Sequence, residues 1–146
     1  MEGNFKTGEK KVAVPIFRII DANANRAREG LRVVEEISRF ILENGEVTSA
    51  WKEARHRISV ILSKLPGNSL VKERNSDSDV GKESYLQEEG ERADHREIAL
   101  VNARRAEEGV RVLEEFSKLV APEMGEQFKK LRFEIYSLEK RTLALL

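Results

Sequence analysis

One phrase is spelled twice in this chain. "NANRAREGLRVVEE" begins at Asn23, and "NARRAEEGVRVLEE" begins at Asn102. A shift of 79 residues (23 to 102) lays Asn23, Ala24, Arg26, Ala27, Glu29, Gly30, Arg32, Val33, Glu35, Glu36 and Ser38 on identical residues. A shift of 77 (51 to 128) then lays Trp51, Ala54, Arg55, Ile58 and Ile61 on Phe128, Leu131, Arg132, Ile135 and Leu138. Each half therefore reads as a helical hairpin. Two hairpins close into an all-α four-helix bundle with approximate internal two-fold symmetry. Two copies are too few for a solenoid.

The elements follow from apolar periodicity and end signals. A first helix is predicted from about Phe17 to Leu42, stopping at "ENG", where Gly45 suits the left-handed conformation after a helix. Thr48 or Ser49 can cap a second, with Trp51, Ala54, Ile58 and Ile61 on one face. A third spans roughly Asp94 to Val120, and Pro122 suits the first turn of a fourth. No stretch alternates with the two-residue period of a strand. The expected organisation is a disordered tail over residues 1–12 and one helical domain over 13–146. Within it lie one repeat at about 17–63, a long polar loop at 64–93 and a second repeat at about 94–143. A connection of that length is usually functional or disordered.

Composition excludes whole classes of function. The 26 basic residues balance 26 acidic ones, which argues against nucleic-acid binding by bulk charge. Cysteine is absent, so disulfides, thiolate metal sites and cysteine nucleophiles are ruled out. No apolar run approaches a membrane span, and the opening "MEGNFKTGEKK" lacks the apolar core of a signal peptide, so a cytoplasmic location is expected.

The repeated phrase carries polar residues on its apolar face. At about 100° per residue, Asn23 aligns with Gly30, Val34, Ile37 and Ile41, while Arg28, Arg32, Glu35 and Arg39 fall on the opposite, solvated side. Arg26 sits at the edge of the apolar arc, and Glu29 and Glu36 just outside it. The second copy repeats this with Asn102, Arg105, Glu108, Gly109 and Glu115. A buried Asn or Arg must be satisfied by a partner. One solution is structural, with Arg26 paired to Glu29, Asn23 bridging helices, and Gly30 permitting close packing. The other is a polar pocket in which Asn, Arg and carboxylates from both copies converge on a ligand. Arginine forks suit phosphate, and carboxylates suit magnesium or the donors of an aminated ring. Each glycine costs about 1 kcal/mol in a helix interior, so close approach by a helix or ligand is expected at both.

Missing motifs prune the chemistry. There is no GxxxxGK[ST], no GxGxxG and no GxSxG. The Glu-x-x-His pairs of di-iron bundles are absent, and neither His56 nor His95 has a partner at metal-ligand spacing. Chemistry here must run on Arg, Lys, Asn, Asp and Glu.

"RIIDANANRAREGLRVVEEISRF", "RNSDSDVG" and "NARRAEEGVRVLEEFSKL" together resemble a small helical domain found fused ahead of thiamine-phosphate synthase. That family is regarded as a hydroxymethylpyrimidine phosphate kinase of thiamine biosynthesis, unrelated to the ribokinase-like enzymes. The likeness runs from about Phe17 to Leu143. The family's loop pattern, Arg-Asp-[ST]-x-x-Asp-x-Gly-Thr followed by Glu-x-x-Arg, is matched by Arg74, Ser76, Asp79 and Gly81, then Glu89 and Arg92. Asn75 replaces the first acid and Lys82 the threonine. No synthase barrel follows, which fits a stand-alone version or an excised domain.

The resemblance implies transfer of the γ-phosphoryl of ATP to the phosphate of 4-amino-2-methyl-5-phosphomethylpyrimidine, with Mg2+. On that basis Arg26, Arg105 and the mobile Arg74 are expected at phosphates, as catalytic cations. Asn23, Asn102, Glu29, Glu108, Gly81 and Arg92 are expected in substrate binding, and Asp79 near the metal. Substrates are then the pyrimidine phosphate and ATP, with thiamine-phosphate synthase or a second copy as protein partners, and neither nucleic acid nor membrane. The rival from another class is a non-catalytic pyrimidine-phosphate-binding or dimerising partner of the synthase. A chorismate mutase-like bundle also works with Arg, Glu and Lys, but neither the duplication nor the "DSDVG" loop fits it.

Overall fold

The computed structural model describes residues 7–66, 69–83 and 90–146. Helices α1 (Thr7–Phe40), α2 (Gly45–Leu62), α4 (His95–Ser117) and α5 (Pro122–Leu145) form the bundle, with a single-turn α3 (Ser69–Lys72) between its halves. Among the described residues every regular element is helical. The hairpins α1–α2 and α4–α5 sit so that α1 packs on α4 and α2 on α5, while α3 rests against α1.

Both cross-hairpin pairs are antiparallel, as a two-fold relation requires. Gly30 of α1 meets Asn102 and Ala106 of α4, and Gly109 meets Asn23 and Ala27. Between α2 and α5, Trp51 donates from Nε1 to Thr142 Oγ1 at 2.9 Å, and Arg57 pairs with Glu134. Buried Ile20, Ala24, Ala27, Leu31 and Val34 from α1 interleave with Ala103, Ala106, Val110 and Leu113 from α4. Trp51, Ile58, Phe128, Leu131 and Ile135 fill the space between α2 and α5. The tryptophan buries its ring and still satisfies its N–H.

The duplicated glycines are packing devices. A Cβ on Gly30 would stand 2.7 Å from the Asn102 carbonyl oxygen, and one on Gly109 3.2 Å from that of Asn23. Alanine gains about 1 kcal/mol of helix propensity. At Gly30 it must also push two backbones apart, an overpacking cost of about 1–3 kcal/mol. Gly30→Ala is therefore expected to be the more destabilising of the two, by about 1–2 kcal/mol in urea titration, with Gly109→Ala close to neutral. Equal effects would mean that the crossing at Gly30 yields to a methyl group as easily as the one at Gly109.

Several local expectations change. Helix α1 begins at Thr7, ten residues before the periodicity points to, and runs through Pro15, which cannot donate to the carbonyl four residues back. Gly45 does not take the left-handed position; Glu43 does, with φ 50°, and Gly45 opens α2. The cap of α2 is neither Thr48 nor Ser49 but Asn44, whose Oδ1 accepts from Val47 N–H at 3.0 Å. Asp94 caps α4 in the same manner, accepting from Glu97 N–H at 2.8 Å.

Glu35 is the largest departure. Placed on the solvated side by angular count, it is buried and takes Nε of Arg55 at 2.9 Å. Its repeat, Glu114, is buried against Arg132, with Nη2 at 2.9 Å. Helix α1 packs on α2 as well as on α4, so its buried sector extends past the apolar arc towards α2. Arg32 with Glu36 and Arg111 with Glu115 are outer pairs of the ordinary i,i+4 kind.

Candidate functional site

The phosphate-binding expectation converges on one place. A cleft of about 400 Å³ opens between the first half of α1 and the segment after α3. Its helical wall is Pro15, Arg18, Ile19, Asp21, Ala22, Asn23, Asn25 and Arg26. The facing wall is Arg74, Asn75, Ser76 and Asp79.

Asn23, 7% exposed, donates from Nδ2 to the Ile19 carbonyl at 2.9 Å, a bond back to its own helix. Its Oδ1 accepts from Arg26 Nη1 at 3.3 Å. Both ends of the amide are used within α1, so Asn23 orients Arg26 instead of bridging to a second helix, and the partner of Arg26 is Asn23 and not Glu29. Arg26 itself is exposed at the cleft.

Arg74 crosses from the loop to α1. Its Nε and Nη2 donate to Asp21 Oδ2 and Oδ1, each at 2.7 Å. That fork buries Asp21 to 5% exposure and raises the Arg74 pKa, the hydrogen bond to Asp21 being the largest cause. Asp79 closes a tight turn, its Oδ1 accepting from Gly81 N–H at 2.7 Å. Gly81 thus shapes the loop from behind Asp79 without lining the cleft. Arg92, exposed, bonds the Glu91 carbonyl. Glu89 lies outside the described residues.

The second copy does not join the first. Antiparallel packing sets Asn102 level with Gly30, about two turns along α1 from Asn23. Asn102 repeats the bond to its own helix, donating to the Ile98 carbonyl at 2.9 Å. Arg105, Glu108 and Glu29 are exposed and stand apart from the cleft. Arg26, Asn23, Arg74 and Asp79 are brought together; the other expected residues are not.

Arg18, Asp21 and Asn25 line the cleft and Arg28 stands behind Asn25, and periodicity passes over all four. Their signal is divergence between the copies: the positions 79 residues on hold Glu97, Leu100, Arg104 and Glu107. Where the bundle is duplicated and the side chains differ, the half with the cleft carries Arg18, Asp21, Asn25 and Arg28 in place of Glu97, Leu100, Arg104 and Glu107, so the pattern of charge is not repeated.

A magnesium ion is testable against the donors present. Asp79 keeps one carboxylate oxygen free of the turn, whereas both Asp21 oxygens are taken by Arg74. Among the described residues no three His, Cys, Asp or Glu side chains cluster in a way that would hold a metal. That suits an ion carried by substrate phosphates with one protein carboxylate, the usual pattern for magnesium in phosphoryl transfer. No described helix is long and apolar enough to cross a membrane.

Comparison with known proteins places this geometry in a family. The chain is 44% identical over 128 residues to a thiamine-phosphate synthase of Synechocystis sp., covering 88% of this chain and 36% of that protein. It is 37% identical over 131 residues to the Nostoc sp. thiamine-phosphate synthase (90% and 36%) and 38% identical over 124 residues to that of Gloeobacter violaceus (85% and 35%). The chain thus spans about a third of the length of these curated relatives. No solved structure matches it. The family pattern that does match covers residues 18–141, taking in the cleft apart from Pro15 and most of the four long helices, and the chain belongs to the ThiD2 family.

Proposed function

We propose that this chain is a phosphomethylpyrimidine kinase of thiamine biosynthesis, transferring the ATP γ-phosphoryl to 4-amino-2-methyl-5-phosphomethylpyrimidine. The observation that carries the reading is a cleft flanked by three guanidinium groups, Arg18, Arg26 and Arg74. The names of the relatives support the pathway.

The chemistry asks little of a proton-transfer residue. The acceptor is a phosphate monoester with a second pKa of about 6, so its oxygen is ionised near neutrality. That oxygen attacks the γ-phosphorus, the bond to the β,γ-bridging oxygen breaks, and the electron pair leaves on ADP. The barrier lies in holding two anions in line and stabilising charge on the transferred group. Arg26, held by Asn23, and Arg74, held by Asp21, would bind the phosphates from opposite walls. Arg18 would add a third positive charge. The Pro15, Ile19 and Ala22 surface offers the pyrimidine an apolar bed, and Asn75 and Ser76 supply donors and acceptors beside it. Mg2+ arriving with ATP would neutralise the β- and γ-phosphates, and the free oxygen of Asp79 is the group to hold it.

The test is ATP-dependent diphosphate formation by the isolated chain. Arg26→Met is expected to lower kcat/KM by roughly 10- to 100-fold, the worth of one charge-assisted hydrogen bond, with the fold intact by circular dichroism. Unchanged turnover in that variant would remove Arg26 from the site. Tight binding of the pyrimidine phosphate without product would make the chain a binding module and overturn the kinase reading.

A further inference from the structure

Arg28 is half-buried beside the cleft and has no part in the scheme above. It donates from Nη1 to Ser59 Oγ on α2 at 3.1 Å and from Nη2 to Asn25 Oδ1 at 2.9 Å. Asn25 in turn reaches Asp21 Oδ1 from Nδ2 at 3.5 Å. Burial lowers the Arg28 pKa, and Asp21 is the charge that most opposes the lowering. A guanidinium kept there carries a desolvation cost without a carboxylate of its own, because both Asp21 oxygens go to Arg74.

The geometry of Arg74 gives that cost a purpose. A guanidinium has five N–H donors in one plane. Asp21 takes the edge formed by Nε and Nη2. Among the described residues Nη1 has no partner, so the edge formed by Nη1 and the second Nη2 hydrogen is a free fork of the kind that fits phosphate. Within a cleft that also holds Arg18, Arg26 and Asp79, Asp21 cancels the charge that Arg74 would bring. With Arg28 behind the carboxylate, Asp21, Arg74 and Arg28 sum to +1. The second half of the bundle has no such row, its equivalents of Asp21 and Arg28 being Leu100 and Glu107.

We propose that Arg28 is a positioning residue: it offsets the charge of Asp21, so that Asp21 can hold Arg74 by one edge while the other edge and a net positive charge remain for a substrate phosphate. The inference rests on reading the cleft as a phosphate site.

Calorimetric titration of the full chain with inorganic pyrophosphate, and separately with the pyrimidine phosphate, tests it. Arg28→Gln keeps hydrogen-bonding groups but loses the charge, and is expected to weaken anion binding about tenfold, with KM rising and kcat nearly constant. Arg28→Lys keeps the charge and is expected to stay within about threefold of the parent chain. If Gln and Lys weaken binding alike, Arg28 is only a strut and the proposal fails. It fails equally if Arg28→Gln binds like the parent. Failure of the parent chain to bind either anion would overturn the phosphate reading of the cleft itself, a distinct result.

Discussion

Arg132→Met should destabilise the bundle by about 3 kcal/mol, although the side chain touches no part of the cleft. Glu114 is 3% exposed and receives Arg132 Nε at 3.0 Å and Nη2 at 2.9 Å. Methionine fills much the same space but leaves a buried carboxylate facing only Arg111, itself largely exposed, at 3.1 Å. Removing one partner of a buried pair costs more than the pair contributes, because the remaining charge keeps its desolvation penalty. Replacing both, Glu114→Met with Arg132→Met, should recover most of the loss. The pseudo-equivalent Arg55→Met should cost less, since Arg55 is more exposed than Arg132 and solvent can reach Glu35 when it is gone. Urea denaturation of the singles and the double decides. An Arg132→Met loss under about 1 kcal/mol would mean that solvent reaches Glu114 once the arginine is gone.

That pair also marks where sequence reasoning reaches its limit. The duplication alone gives four helices, two hairpins and their symmetry, because repeated apolar periodicity is a local property of each segment. Glu35 looks solvated because angular counting treats one helix at a time. Its burial comes from α2, and its partner Arg55 lies 20 residues on. The clue was present in the joint retention of Glu35 with Arg55 and of Glu114 with Arg132 across both copies. Asp21 was hidden in the same way. It lies about 160° around α1 from Asn23, on a face that reads as solvated, and is buried only by a loop residue 53 positions later. Arg26, Asn23, Arg74 and Asp79 were legible because polar residues interrupting an apolar face, and a loop with a motif, are local signals. The expected convergence of both copies on one pocket does not occur, since antiparallel packing separates what the repeat makes look alike.

Where the copies differ most sharply, stability should depend on pH in an unusual direction. Glu107, 7% exposed, occupies the position of Arg28 and has an orphaned Oε1 in the interior. Burial pushes its pKa up to about 8 from 4.5, the hydrogen bond and negative charge of Glu139 add to the rise, Arg104 opposes it and Glu108 adds slightly. The oxygen without a partner and the nearby negative charge of Glu139 both favour the protonated form of the Glu107 carboxyl. Because the folded state binds that proton more tightly than the unfolded chain, Glu107 favours folding below about pH 4.5 and loses that contribution as pH climbs to about 8. At about 1.4 kcal/mol per pKa unit the upper bound is 4–5 kcal/mol, and screening at the helix edge brings the expected difference to about 2–3 kcal/mol. Glu107→Gln keeps the shape, donates an amide N–H to Glu139 and has no proton to lose. It should therefore raise Tm by about 5–10 °C at pH 8, with the gain shrinking towards zero near pH 5. Reading the variant against the parent at each pH isolates the contribution of Glu107. A gain of the same size at both pH values would mean that folding does not raise the Glu107 pKa, and that the second half of the bundle holds an ordinary carboxylate where the first holds Arg28.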